Sequence, residues 1–197
     1  MQSAPDDMAR LFDGEGRRRY VCGAEWRRFL MAAARMDAPS AALCQLLALT
    51  GCRISEALAL TPQRLDAEAG QVIFRSLKRR KLVFRAVPVP PDLMRALRLL
   101  ARGNAPDAPL WRWSRQTGWR RVKTAMEAAG ITGVQATAKG LRHGFGIANA
   151  EANVPPALTQ RWMGHARLET TAIYQHAVGA EERSFAKRLW RRAPPSL

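Results

Sequence analysis

The sequence predicts a mainly α-helical fold that carries one small antiparallel β-sheet. Three observations predict it. Apolar residues recur at helical spacing along most of the chain, two short β-rich runs lie side by side in its middle, and one nearly all-apolar segment closed by a glycine supplies a buried centre. With 197 residues, 47% of them apolar, the chain suits one well-buried domain with a short appendage.

Residues 1 to 19 mix Pro, Gly and charge, which predicts a flexible arm whose terminal "GRRR" could touch a phosphate backbone. The domain is expected to run from Tyr20 to Arg192, with 193–197 as a loose tail. Trp26, Phe29, Leu30 and Ala33 fall at i, i+3, i+4 and i+7, the stripe of an amphipathic helix. "PSAALCQLLALTG" reads as the buried helix, ended by Gly51, and "RISEALAL" as a short helix stopped by "TPQRLD". "GQVIFRS" and "LVFRAVPVP" read as strands of a hairpin or sheet edge around "LKRRK". Pro90 and Pro91 start a helix with Leu93, Leu97 and Leu100 on one face. "GWRRVKTAMEAAG" predicts another, capped by Gly130. The last third predicts a helical cluster over Thr137–Asn153, Pro155–Met163, Leu168–His176 and Glu181–Arg192.

Charge narrows the function classes. Lys and Arg number 32 against 16 Asp and Glu, a net +16, and such an excess repels itself in a compact state unless a polyanion answers it. Nucleic acid is the expected partner. Cys22, Cys44 and Cys52 are odd in number and lack CxxC spacing, so they read as reduced core residues of a cytoplasmic protein rather than a disulfide framework or zinc site. No signal-peptide pattern follows Met1, and no apolar run reaches membrane-spanning length. The spacing of His143, His165 and His176 supports no metal site, and no cofactor is expected.

Three islands hold groups suited to a phosphodiester, where catalysis needs convergent cationic donors and a covalent route adds a nucleophile. In "TGCRISEAL", Arg53 follows the buried helix, and Glu56 could hold its side chain; a plain surface ion pair is the competing reading. In "KGLRHG", Lys139 and Arg142 share a face at i, i+3, while Leu141, Phe145 and Ala148 form a separate apolar stripe and His143 is expected to point elsewhere. A solvated basic face is the alternative there. In "GHARLETTAIYQHA", His165 ends one helix and Tyr174 lies on the next; structural histidine and core tyrosine are the alternatives.

In order, TGCRISE, a basic β-hairpin ahead of "VPV", GLRH, and Gly-His with a tyrosine nine residues later resemble the catalytic domain of the tyrosine recombinase (phage integrase) family. That family is similar in mechanism to type IB topoisomerases. The resemblance covers about residues 20 to 190. It implies that Arg53 and Arg142 clamp the scissile phosphate and that a hairpin lysine, Lys78 with Lys81 as the alternative, protonates the leaving 5′ oxygen. His165 would donate to a non-bridging oxygen, and Tyr174 would attack to form a 3′-phosphotyrosine, without ATP or metal. The family's first histidine, three residues before its second arginine, is Lys139 here. A lysine can donate to a phosphate oxygen but is a poor base near neutral pH unless its pKa is lowered. The acceptor of the Tyr174 proton therefore stays open.

The implied substrate is double-stranded DNA, held by a homo-tetramer on two sites. Full-length members also carry a helical core-binding domain, whereas 19 residues precede Tyr20, so the basic arm, a partner chain or an unusual target is expected to help grip DNA. In "EERSFAKRLWRR", Phe185, Leu189 and Trp190 lie on one side, suited to a neighbouring protomer or to the chain's own domain. A topoisomerase-like relaxing activity, and a non-catalytic DNA-binding remnant or regulator with the same fold, are the competing functions.

Overall fold

The structure is a computed structural model that describes residues 11–75, 83–165 and 169–174. In chain order its elements are α1 (Gly23–Ala33), α2 (Ala38–Thr50), α3 (Ile54–Leu58), a 3-10 turn (Pro62–Arg64), β1 (Leu65–Asp66), β2 (Gln71–Arg75), β3 (Phe84–Pro88), α4 (Pro91–Ala101), α5 (Arg115–Ala128), α6 (Ala138–Glu151), α7 (Pro156–Met163) and α8 (Glu169–Ala172). The helices and the sheet follow the expected order. Lys78, Lys81, the residues around His176 and the 181–192 segment lie outside the described residues.

The all-apolar segment is the hub. α2 packs against α1, α3, α4, α5 and α6, and its Leu43, Leu46 and Leu47 are fully buried. Asp37 accepts from the Ser40 N–H at its start, and Gly51 ends it at φ 59°. A Cβ on Gly51 would sit 2.5 Å from the Phe145 ring, so close packing and left-handed backbone both require glycine. Thr137 caps α6 by accepting from the Gly140 N–H, and Ser114 caps α5 four residues before the first expected residue of that helix, Gly118.

The sheet has the order β1-β2-β3, all antiparallel, with Phe74 opposite Arg85. The two-residue β1 was not foreseen. Alternation buries Val72 and Phe74 of β2, and Arg85 and Val87 of β3. An arginine therefore occupies an inward strand position.

Two expectations need correction. Residues 11–19, expected as part of a flexible arm, form a packed turn: Phe12 pairs with Arg18, the Arg19 N–H donates to the Leu11 carbonyl, and Leu11 is fully buried. The Arg18 guanidinium makes two 2.8 Å bonds to Glu25 on α1, so this member of "GRRR" is committed inside the fold. Residues 1–10 lie outside the described residues. The apolar stripe of α6 also differs, with Ile147 buried and Ala148 exposed.

Candidate functional site

The functional side chains come from α3, β3, α6 and the segments that follow α7 and α8. Arg53 occupies the N-cap position of α3, and its own N–H donates to Glu56 Oε2 at 2.8 Å while its Nη1 donates to Oε1 at 2.9 Å. The same carboxylate accepts two more bonds from Arg85 of β3, at 2.7 and 3.2 Å. Four donors thus saturate one buried carboxylate, whose side chain is 1% exposed. Burial opposes ionisation of Glu56, but the bonds and charges of Arg85 and Arg53 outweigh it and hold the carboxyl below its usual range. Arg85 Nε also donates to the Trp162 carbonyl of α7 at 2.8 Å. One guanidinium therefore ties the hairpin to both α3 and α7.

Arg142 is buried on α6. Its two terminal nitrogens donate to the Gly51 carbonyl, at 2.6 Å, and to the Met163 carbonyl, at 2.7 Å. Both acceptors close helices, α2 and α7, where carbonyls lack intrahelical donors and the dipole favours a cation. Burial, with Arg53 close by, pulls the Arg142 pKa down to about 10, so it stays charged at neutral pH.

α7 ends at Gly164, with φ 65°, and delivers His165. Gly164 also lies against Arg85: a Cβ there would stand 3.1 Å from the guanidinium. His165 Nδ1 is 2.9 Å from the Thr171 hydroxyl of α8. Burial and the nearby Arg142 and Arg53 push its pKa down to about 3, which keeps the ring neutral at pH 7. A cavity of about 210 Å³ between β3 and α7 reaches His165 past Phe84, Arg85 and Arg161.

Tyr174 follows α8 and is 2% exposed. Its ring lies in a small apolar cluster with Leu11, Ile147, Met163 and Ile173. The His165 ring stacks beside it, centroids 6.1 Å apart and planes 22° apart. The Tyr174 hydroxyl is 3.1 Å from Nδ1 of His143.

The structure thus brings together four residues singled out in the sequence, Arg53, Arg142, His165 and Tyr174, and the Arg53–Glu56 pair forms as expected. Lys139 stands exposed on the first turn of α6, and no described contact joins it to the arginines or the tyrosine. The expectation that His143 points elsewhere fails. Successive helical residues diverge by about 100°, and that divergence sends Arg142 to the helix ends and His143 to the tyrosine. Arg85 and Thr171 were also missed. Arg85 had a readable signal: in "FRAVP" it shares the inward register with Val87. Thr171 had none beyond its place ahead of the tyrosine. Among the described residues no group of His, Cys, Asp or Glu could hold a metal ion, and no helix is long and apolar enough to cross a membrane.

Comparison with known proteins gives one consistent result. The model of the phage integrase family matches residues 20–181. Tyrosine recombinase XerD of Mycobacterium tuberculosis is 34% identical over 154 residues, covering 68% of this chain and 46% of the relative. Tyrosine recombinase XerA of Pyrococcus furiosus is 29% identical over 153 residues, covering 73% and 52%. The chain spans about half the length of the curated relatives it matches. Among solved structures, XerH site-specific recombinase bound to palindromic difH substrate, a post-cleavage complex, superposes with TM-score 0.76 at 22% identity, over 91% of this chain and 56% of that one. The catalytic domain of bacteriophage HP1 integrase superposes with TM-score 0.63 at 20% identity, over 90% of this chain and 98% of that one. These likenesses establish the fold.

Proposed function

Because this chain belongs to the phage integrase family of tyrosine recombinases, we propose that it cuts and rejoins duplex DNA through a 3′-phosphotyrosyl bond to Tyr174. The observation that carries the reading is convergence: two arginines, a neutral histidine and a tyrosine meet from four separate parts of the chain. Arg53 and Arg142 hold the non-bridging oxygens of the scissile phosphate, where preformed cations stabilise the charge of the pentacoordinate transition state. His165 adds a neutral donor. Tyr174 Oη forms the bond to phosphorus as the bond to the 5′ oxygen breaks, and Lys78 protonates that oxygen. The phosphotyrosyl ester retains the bond energy, so a 5′ hydroxyl of a partner strand can reseal it. Pairwise exchange calls for a tetramer on two DNA sites, acting in the cytoplasm.

The test is covalent trapping. Nicked suicide duplexes built from DNA flanking the gene should give a protein–DNA adduct that survives denaturing electrophoresis. Tyr174→Phe should give none. Arg142→Ala should slow adduct formation by about 10²–10³-fold, the cost of one lost charge-stabilising donor. It should leave most salt-sensitive binding intact, because many other cations contact the backbone. An adduct that persists in Tyr174→Phe overturns the mechanism.

A further inference from the structure

We propose that His143 takes the proton of Tyr174 during strand cleavage. This rests on the cleavage reading above and fills the place left open by Lys139. Nδ1 of His143 lies within hydrogen-bond reach of the phenol, at 3.1 Å. With the tyrosine 2% exposed, its proton has no direct path to bulk water, so a protein group must receive it first.

Among the described residues, the other bases considered for the phenol are less suited. His165 turns its ring face to Tyr174 and commits Nδ1 to Thr171. Buried, and flanked by Arg142 and Arg53, it holds a second proton poorly, which suits a donor. Lys139 is exposed and makes no described contact with the phenol. Positions 139 and 143 nonetheless lie on the same face of α6, at i and i+4. His143 thus lies one turn along that face from the exposed Lys139, and it touches the nucleophile. Among the described residues, the charged and titratable groups near His143 include Arg142 on its own helix, His165 after α7 and Tyr174 after α8.

The step balances without a further reactant. The Nδ1 lone pair accepts the Oη proton as the Oη–P bond forms, the P–O5′ bond breaks, and its electron pair leaves on O5′, which Lys78 protonates. The imidazolium returns its proton to the phenol on resealing. The phosphate's negative charge offsets the repulsion between the imidazolium and Arg142.

The experiment is single-turnover cleavage of the suicide duplex by the full chain, with His143→Ala and His143→Gln compared from pH 6 to 9. Unfolding temperature and DNA affinity are measured in parallel. Loss of a general base costs about 10²–10⁴-fold, and the deficit should shrink about tenfold per pH unit as the phenol ionises unaided. Added imidazole should partly restore His143→Ala. A substrate with sulfur at the bridging 5′ position needs no acid for its leaving group, so it should rescue Lys78→Ala but not His143→Ala. Glutamine keeps a polar side chain, so a correctly folded His143→Gln that cleaves at the wild-type rate, or faster, overturns the inference. So does rescue of the His143 variants by the sulfur substrate. A wild-type chain that forms no adduct overturns the cleavage reading itself, whereas a wild-type adduct with undiminished His143 variants overturns this inference alone.

Discussion

The arginine side and the tyrosine side of the site are built differently. On the arginine side, Arg53, Arg85 and Arg142 are fixed by charge-assisted bonds to Glu56 and to helix-end carbonyls, against the large core around α2. On the tyrosine side, Tyr174 rests in a satellite cluster of a few apolar residues, one of them from the N-terminal turn. The difference teaches how the work is divided. Cations that stabilise a transition state must be in place before the phosphate arrives, or reorganisation consumes the gain. A nucleophile resting on a small cluster can be disengaged and re-aimed at modest cost.

Breaking the stiff side should have the largest effect. Glu56→Ala removes the shared anion and leaves Arg85, with a side chain 6% exposed, as an unpaired buried charge. Denaturant unfolding should show a loss of about 3–5 kcal/mol. Glu56→Gln keeps the shape and should lose less. A loss below about 1 kcal/mol for Glu56→Ala would mean that the network relaxes into water and is not preformed.

Breaking the soft side should cost less and stay local. Leu11 is fully buried against the tyrosine cluster, but at the edge of the fold. Leu11→Ala should destabilise by about 2 kcal/mol, the low end for a buried leucine, because an edge site can collapse. Hydrogen exchange should quicken around α8 while α2 keeps its protection. Equal loss of protection in both would merge the two regions into one cooperative unit.

The same division explains what the sequence made legible. The helices could be read because apolar periodicity and caps are local: the α2 run with Gly51, Thr137 before α6, and the prolines before α4. Arg53 with Glu56 was legible because the pair spans one helical turn. Arg85 reaches Glu56 across 29 residues, and His143 reaches Tyr174 across 31, and no local pattern encodes such contacts. The packed N-terminal turn was misjudged because Gly, Pro and charge describe a turn as well as an arm. There, Asp13 Oδ1 accepts from the Glu15 and Arg17 N–H groups and closes the turn. Lys139 was placed with Arg142 by spacing alone, but burial separates the two.

The smallest expected effect lies where the two sides meet, at His165. It stacks on the tyrosine yet owes its low pKa to burial and to the arginines. Between the ordinary histidine value of 6.5 and about 3, the unfolded chain binds a proton at this residue that the folded chain refuses. Stability must therefore fall as pH drops through that window, by at most about 1.4 kcal/mol per pH unit. Glu56 pushes in the same direction, but protons are taken up at this carboxyl mainly near and below the ordinary glutamate value of 4.5, so the interval from pH 6.5 to 5 largely separates the histidine from Glu56. Unfolding curves at those two pH values, for wild type and His165→Asn, should differ in slope, with the variant flatter. Thr171→Val removes the Nδ1 partner but not the arginines, so it should keep most of the slope. If Thr171→Val flattens the curve as much as His165→Asn does, the tyrosine-side contact keeps the ring neutral, and His165 belongs to the soft side of the site.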